Sequence, residues 1–140
     1  MHHFAGAQRA DDAHGNAGLT VDKISLDGSF AKISEHWRPK VVAELNGQEV
    51  KLVKVRGEFL WHHHEVEDEM FLIHRGRLRI EFRDRIVELG PGDCLVIPHG
   101  VEHRPVAEDE VELMLFEPAG VRNTGNVTDP TLTAPDGVHL

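Results

Sequence analysis

His62, His64, Glu69 and His103 are the side chains of this chain whose types and spacing could do chemistry. Imidazole and carboxylate are the donors that divalent transition ions accept. His62 and His64 stand two apart, and in a strand residues i and i+2 share a face, so both rings can reach one ion while His63 points the other way. Glu69 follows five residues after His64, far enough to pass a short turn and return on the next strand with its carboxylate toward the same side. His103 completes the set, and three histidines with one carboxylate at these spacings describe a divalent metal site on a β-barrel. Three neutral imidazoles and one carboxylate leave a divalent ion with one net positive charge and, if octahedral, two open positions for water, dioxygen or a chelating substrate. Fe, Mn, Ni, Co, Cu and Zn all suit such a site, and affinity order alone does not choose among them.

The elements that would position these groups read as strands. No sustained 3.6-residue apolar period appears between Val41 and Pro118, whereas short alternating or β-branched runs bounded by Gly, Pro or Asn recur. Strands are predicted over residues 50–55, 58–64, 69–74, 77–83, 85–89 and 94–97, around His103, and over 111–117. Turns fall at Asn46-Gly47, at Gly76, at Gly90-Pro91-Gly92-Asp93 and at Pro98-His99-Gly100. Closing short antiparallel strands on themselves removes their edges, so the expected fold is all-β, a small antiparallel jelly-roll β-barrel. Residues 29–37 fit one helical turn or a short strand, ended at Trp37-Arg38-Pro39. The domain reading is a disordered leader over 1–18, the barrel over 19–118 and an irregular tail over 119–140, to which no chemistry is assigned.

The same residues resemble the two motifs of the cupin superfamily, G-x5-H-x-H-x3,4-E-x6-G and G-x5-P-x-G-x2-H-x3-N. Gly57 precedes His62 by four intervening residues instead of five, while His62, His64, Glu69 and Gly76 keep the remaining intervals. Gly92, Pro98, Gly100 and His103 fall at the spacing of the second motif, with Ala107 in place of its terminal Asn. The resemblance implies His62, His64, Glu69 and His103 as metal ligands for one divalent transition metal, and names no substrate. It also implies a homodimer, since in small cupins the segment before the barrel often pairs with a partner subunit.

Composition narrows the partners. A formal net charge of −9 argues against nucleic acid, because phosphate binding needs concentrated Lys and Arg. Arg75, Arg77, Arg79, Arg83 and Arg85 do cluster, but alternation with Leu78, Ile80 and Phe82 makes them the solvated face of a strand. No apolar run reaches the length of a membrane span and no secretory signal is evident, so no membrane partner and a cytoplasmic location are expected. The single cysteine, Cys94, fits a reducing compartment and is expected to be a small buried hydrophobe. His2, His3, His14, His36, His63, His74, His99 and His139 read as structural or solvent-exposed.

Strand parity puts Leu60 on the face of His62 and His64, and Phe71 and Ile73 on the face of Glu69, which makes the surroundings of the site apolar. Glu58 or Glu44 could reach the lumen as a base. The chain has no Tyr, which excludes a tyrosine acid or base and a Cys–Tyr cross-link. Arg104 is the only basic residue beside the metal motif, and parity turns it away from the ion. Three readings follow: a metal-dependent, dioxygenase-like enzyme acting on a small organic molecule, which is favoured; a metal-dependent sugar or keto-acid isomerase; and a non-catalytic module that binds metal or a small ligand. The lack of a phosphate anchor or an obvious proton-transfer residue weighs against the isomerase.

Overall fold

A computed structural model describes residues 21–140, and the leader expected over 1–18, with His2, His3 and His14, lies outside the described residues. Among the described residues, seven strands follow one short helix. They are α1 (Leu26–Phe30), β1 (Lys40–Leu45), β2 (Gln48–Glu58), β3 (Glu69–Arg75), β4 (Leu78–Phe82), β5 (Ile86–Leu89), β6 (Cys94–Ile97) and β7 (His103–Pro118). Every pairing between these strands is antiparallel.

The 16-residue β7 organises the molecule because its two halves belong to different layers. Its second half lies between β2 and β3 in the order β1-β2-β7-β3-β6, while its first half pairs with β4, which in turn pairs with β5. The change of layer falls at the exposed residues Glu108, Asp109 and Glu110. Alternation along each strand turns Val53 and Val55, Phe71 and Ile73, Leu78 and Ile80, and Val111, Leu113 and Leu115 into one shared core. Gly76, between β3 and β4, has φ +92°, and a Cβ there would stand 2.8 Å from the Glu110 carbonyl oxygen, so only glycine lets that turn pack on β7.

Residues 29–37, left between helix and strand by the sequence, hold only the end of α1, which starts earlier at Leu26, followed by an isolated bridge from His36 to Lys54. The Ser25 hydroxyl caps α1 by accepting from the Gly28 N–H at 3.0 Å. Phe30 and Ile33 then bury against Leu52 on the outer face of β2. Residues 119–140 are built of turns, with one bridge returning from His139 to Val41.

Two local expectations are corrected. Residues 58–64 do not form a strand: β2 ends at Glu58, and beyond it only His62 makes a bridge, to His103. The β2–β7 register breaks there, Val55 pairing with Val111 but Gly57 with Ala107, and the ladder ends at Glu58. Phe59 keeps the inward parity of Val53 and Val55, 7% exposed, and Leu60 is only half-buried. Cys94 is exposed, not buried, because β6 is an edge strand whose Leu95 and Ile97 take the inward positions.

Candidate metal centre

His62 reaches its place through a pair of main-chain bonds across to β7: its N–H donates to the His103 carbonyl at 3.0 Å and its carbonyl accepts from the His103 N–H at 2.9 Å. That pair brings the two motifs of the sequence together. The carbonyl of His64 accepts from the Gly100 N–H at 2.7 Å, which ties the same segment to the turn before β7. His63 points away, as expected, and its ring meets Glu65.

All three rings of the expected set are buried, at 2% exposure for His62, 4% for His64 and 0% for His103. One ligand nitrogen from each lies within 4.8 Å of the others, a spacing that one ion can bridge. Glu69 sits beside two of them, with Oε1 3.5 Å from His64 Nε2 and 3.8 Å from His103 Nε2. It is not part of the mutually close trio, so the carboxylate flanks the histidines.

Second ring atoms fix the orientation. Nδ1 of His62 donates to the Leu60 carbonyl at 3.0 Å and Nδ1 of His103 to the Val101 carbonyl at 2.9 Å, which leaves Nε2 free to bind an ion. His64 Nε2, His103 Nε2 and Glu69 Oε1 are buried with no hydrogen-bond partner. Buried polar atoms are normally paired, so three orphans converging on one point fit a cation held between them. Burial, followed by the neighbouring His103, lowers the His62 pKa to about 3. Burial lowers His103 to about 4 and also pulls His64 down. All three rings are thus neutral near pH 7, the form a metal requires.

Behind Glu69 lies a charged group that the sequence reading missed. Glu117 stands beside Glu69, and Lys51 donates to Glu117 Oε2 at 2.9 Å while standing 3.5 Å from Glu49 Oε1. All three of these additional residues are buried. Burial and the adjacent Glu69 carboxylate push Glu117 well above the usual carboxylate range, and burial raises Glu69 as well. Burial alone would lower Lys51, but Glu117 and then Glu49 outweigh it and hold the ammonium above its ordinary value. The available signal was parity: Glu49 and Lys51 precede Val53 and Val55 at inward positions of β2, as Glu117 follows Leu113 and Leu115 on β7.

The bases considered from sequence are elsewhere. Glu58 is solvent-exposed near Arg104, and Glu44 meets His139 at 3.2 Å on the surface. Arg104 turns from the centre as expected, bonding Glu81 at 2.7 Å. Arg79 and Arg83 pair with Glu81 and Glu102, which keeps the arginine cluster a solvated face. His36, His74 and His99 pair with Glu110, Asp27 and Asp68 on the surface.

A cavity of about 40 Å³ adjoins His62 and Glu69. Its walls are apolar: Val53, Val55, Phe71, Leu113 and Leu115 from the barrel, closed by Phe59 and Trp37 stacked at 4.6 Å. Trp37 holds φ +61°, an unusual conformation for a bulky residue. It is fixed there by its indole N–H donating to the Arg56 carbonyl at 2.9 Å and its main-chain N–H donating to Lys54.

Antiparallel strands enclosing three inward histidines, joined across the two motifs and close enough to share one ion, define the class of small β-barrel to which the chain belongs. The chain belongs to the cupin family: the Cupin domain model matches residues 48–117. Among solved structures it is similar to a cupin-2 domain containing protein from Shewanella frigidimarina, 46% identical, TM-score 0.67, covering 68% of this chain and 93% of that one. A protein of Neisseria meningitidis is 30% identical with TM-score 0.64, covering 70% of this chain and all of the other. The uncharacterized protein YdbB of Bacillus subtilis is 41% identical over 64 residues, which span 45% of this chain and 57% of that relative. Among the described residues no helix is long and apolar enough to cross a membrane.

Proposed function

We propose that this cupin binds one divalent transition metal through His62, His64, Glu69 and His103 and works as a metal-dependent, dioxygenase-like enzyme on a small, largely apolar organic molecule. The observation that carries the reading is the convergence of three buried, unpartnered donor atoms beside an apolar cavity. A metal bound there supplies Lewis acidity and, if it is redox-active, the activation of dioxygen. The chain's residues supply the rest. Phe59, Phe71 and Trp37 exclude water and favour an apolar body, and the cavity of about 40 Å³ limits its size, since one water occupies roughly 10–15 Å³ on this measure. Among the described residues lining it there is neither Lys nor Arg, which disfavours phosphorylated substrates.

The isomerase reading gains one specific support: Glu117 and Lys51, buried beside Glu69, supply the acid–base group that sequence alone did not reveal. Dioxygen uptake by Fe(II)-loaded protein with small aromatic or keto substrates supports the oxygenase. Metal-dependent exchange of solvent deuterium into a sugar or keto acid, without uptake, replaces it by the isomerase. Silence in both, with metal still bound, leaves a non-catalytic binding module. A homodimer belongs to the same proposal, supported by the outward apolar row Val50, Phe116, Met70 and Val96 across four strands. The free, exposed Cys94 supports a reducing, cytoplasmic setting.

A further inference from the structure

We infer that the C-terminal lobe, residues 121–134, is a working part of the metal centre, with Gly125 and Asn126 as positioning residues that aim His62 and His64 at one ion. The inference rests on the metal reading above. His62 and His64 do not lie on a continuous strand, so no ladder enforces the alternation that sends both rings the same way. Three separate contacts replace it. β7 holds His62, the turn at Gly100 holds His64, and the lobe holds the peptide groups between them. Asn126 makes both of the latter bonds: its Oδ1 accepts from the His63 N–H at 2.9 Å, and its own N–H donates to the His63 carbonyl at 2.9 Å. With donor and acceptor of His63 both engaged, its φ and ψ are fixed, and with them the relation between the side chains on either side.

Gly125 permits that approach. It has φ +58°, and a Cβ there would stand 2.2 Å from the His63 carbonyl oxygen and 3.1 Å from the His62 ring. The obstruction is main chain, which cannot swing aside as a flexible side chain could.

The lobe is built to present these two residues firmly. Thr124 is fully buried, with Oγ1 donating to the Val127 carbonyl at 2.7 Å and 2.7 Å from Thr133 Oγ1. Asn123 spans the lobe, Oδ1 accepting from the Ala134 N–H and Nδ2 donating to the Leu132 carbonyl, each at 2.9 Å. A rigid support behind a ligand is what narrows its geometry before the ion arrives.

The test is a Co(II) titration of the full chain purified without a histidine tag, followed by calorimetry and by the visible d–d absorption, with thermal unfolding of the metal-free proteins alongside. Gly125→Ala and Asn126→Ala should each weaken Co(II) binding by about tenfold or more and alter the d–d band, as loss of an outer support does. Asn126→Asp, which keeps the Oδ1 acceptor, should stay near wild type. If Gly125→Ala does not fold, Asn126→Ala carries the test, because Asn126 is exposed and its truncation leaves no cavity. Affinity within twofold of wild type for Asn126→Ala, or an equal loss in Asn126→Asp, overturns the inference while leaving the metal site standing. Failure of the wild type to take up Co(II) overturns both.

Discussion

Burial decides what each ionisable group at the centre can do, and the consequences can be checked one side chain at a time. His62→Ala and His103→Ala should each lower Zn(II) or Co(II) affinity by more than about 100-fold, whereas His63→Ala, whose ring meets Glu65, should change it less than about fivefold. Equal losses in calorimetric titration would remove the ligand assignment. The pH dependence of the metal-free fold has two opposing parts. His62 and His103, held at about 3 and 4, stay neutral while the unfolded chain protonates near 6.5, so their contribution is full above 6.5 and is lost as pH falls. Glu117 and Glu69 are raised, so each binds a proton in the folded state above pH 4.5 that the unfolded state does not, and their contribution declines as pH rises. Between 4.5 and 6.5 the two effects oppose. Glu117→Gln deletes one raised carboxyl, so its stability should fall more steeply with acidification there, by up to about 1.4 kcal/mol per pH unit for that proton. Parallel acid limbs in denaturant titrations of variant and wild type would contradict this. The buried trio His62, His64 and His103, with Glu69 beside it, was legible because the spacing is local to two motifs. Glu117 and Lys51 were not, because their meaning depends on which strands become neighbours: Glu49 and Glu117 face one another only through the β2–β7 register.

At the scale of elements, the informative failure is the segment after β2. Alternation read through residues 58–64 placed Leu60 inward, yet Phe59, continuing the parity of Val53 and Val55, takes that place, and the parity changes between Phe59 and His62 where no strand runs. The histidines nonetheless face together, because their positions are set by bonds to β7, to Gly100 and to the C-terminal lobe and not by the pleat. That change of parity falls within the interval between Gly57 and His62 that departs from the family pattern. The exchange has a measurable cost. Phe59 is buried, stacked on Trp37 and edge-on to His62 at 5.3 Å, so Phe59→Ala should destabilise by about 3–5 kcal/mol. Leu60→Ala, at a half-buried outward position, should cost about 1 kcal/mol. The reverse ranking in equilibrium unfolding would restore the unbroken strand. Elements whose strand pairing follows short turns, β3 to β6, matched their expected spans to within a few residues, since turn residues and alternation agree there.

At the scale of the molecule, one sheet face remains to be covered. Cross-strand partners align Val50, Phe116, Met70 and Val96 in one outward row, and Leu52, Met114, Leu72 and Cys94 in the next. α1 shields this face over Leu52 through Phe30 and Ile33, but it does not extend across β6, where Val96 is 55% exposed. Isolated exposed apolar residues need no explanation, whereas a registered row ending on an edge strand is a place where another chain can pair or pack. A second copy of this chain is the occupant that the family reading implies, and a two-fold contact would set the same row against itself. The wild type should therefore sediment as a dimer at micromolar concentration. Met70→Lys with Val96→Lys should shift it to monomer, because two like charges from each copy would meet across the contact. Both side chains point away from the lumen, so circular dichroism and Co(II) affinity should be retained in the variant, which separates lost association from lost folding. A wild type that sediments as a monomer would leave the row an ordinary outer face, and the dimer would have to be given up.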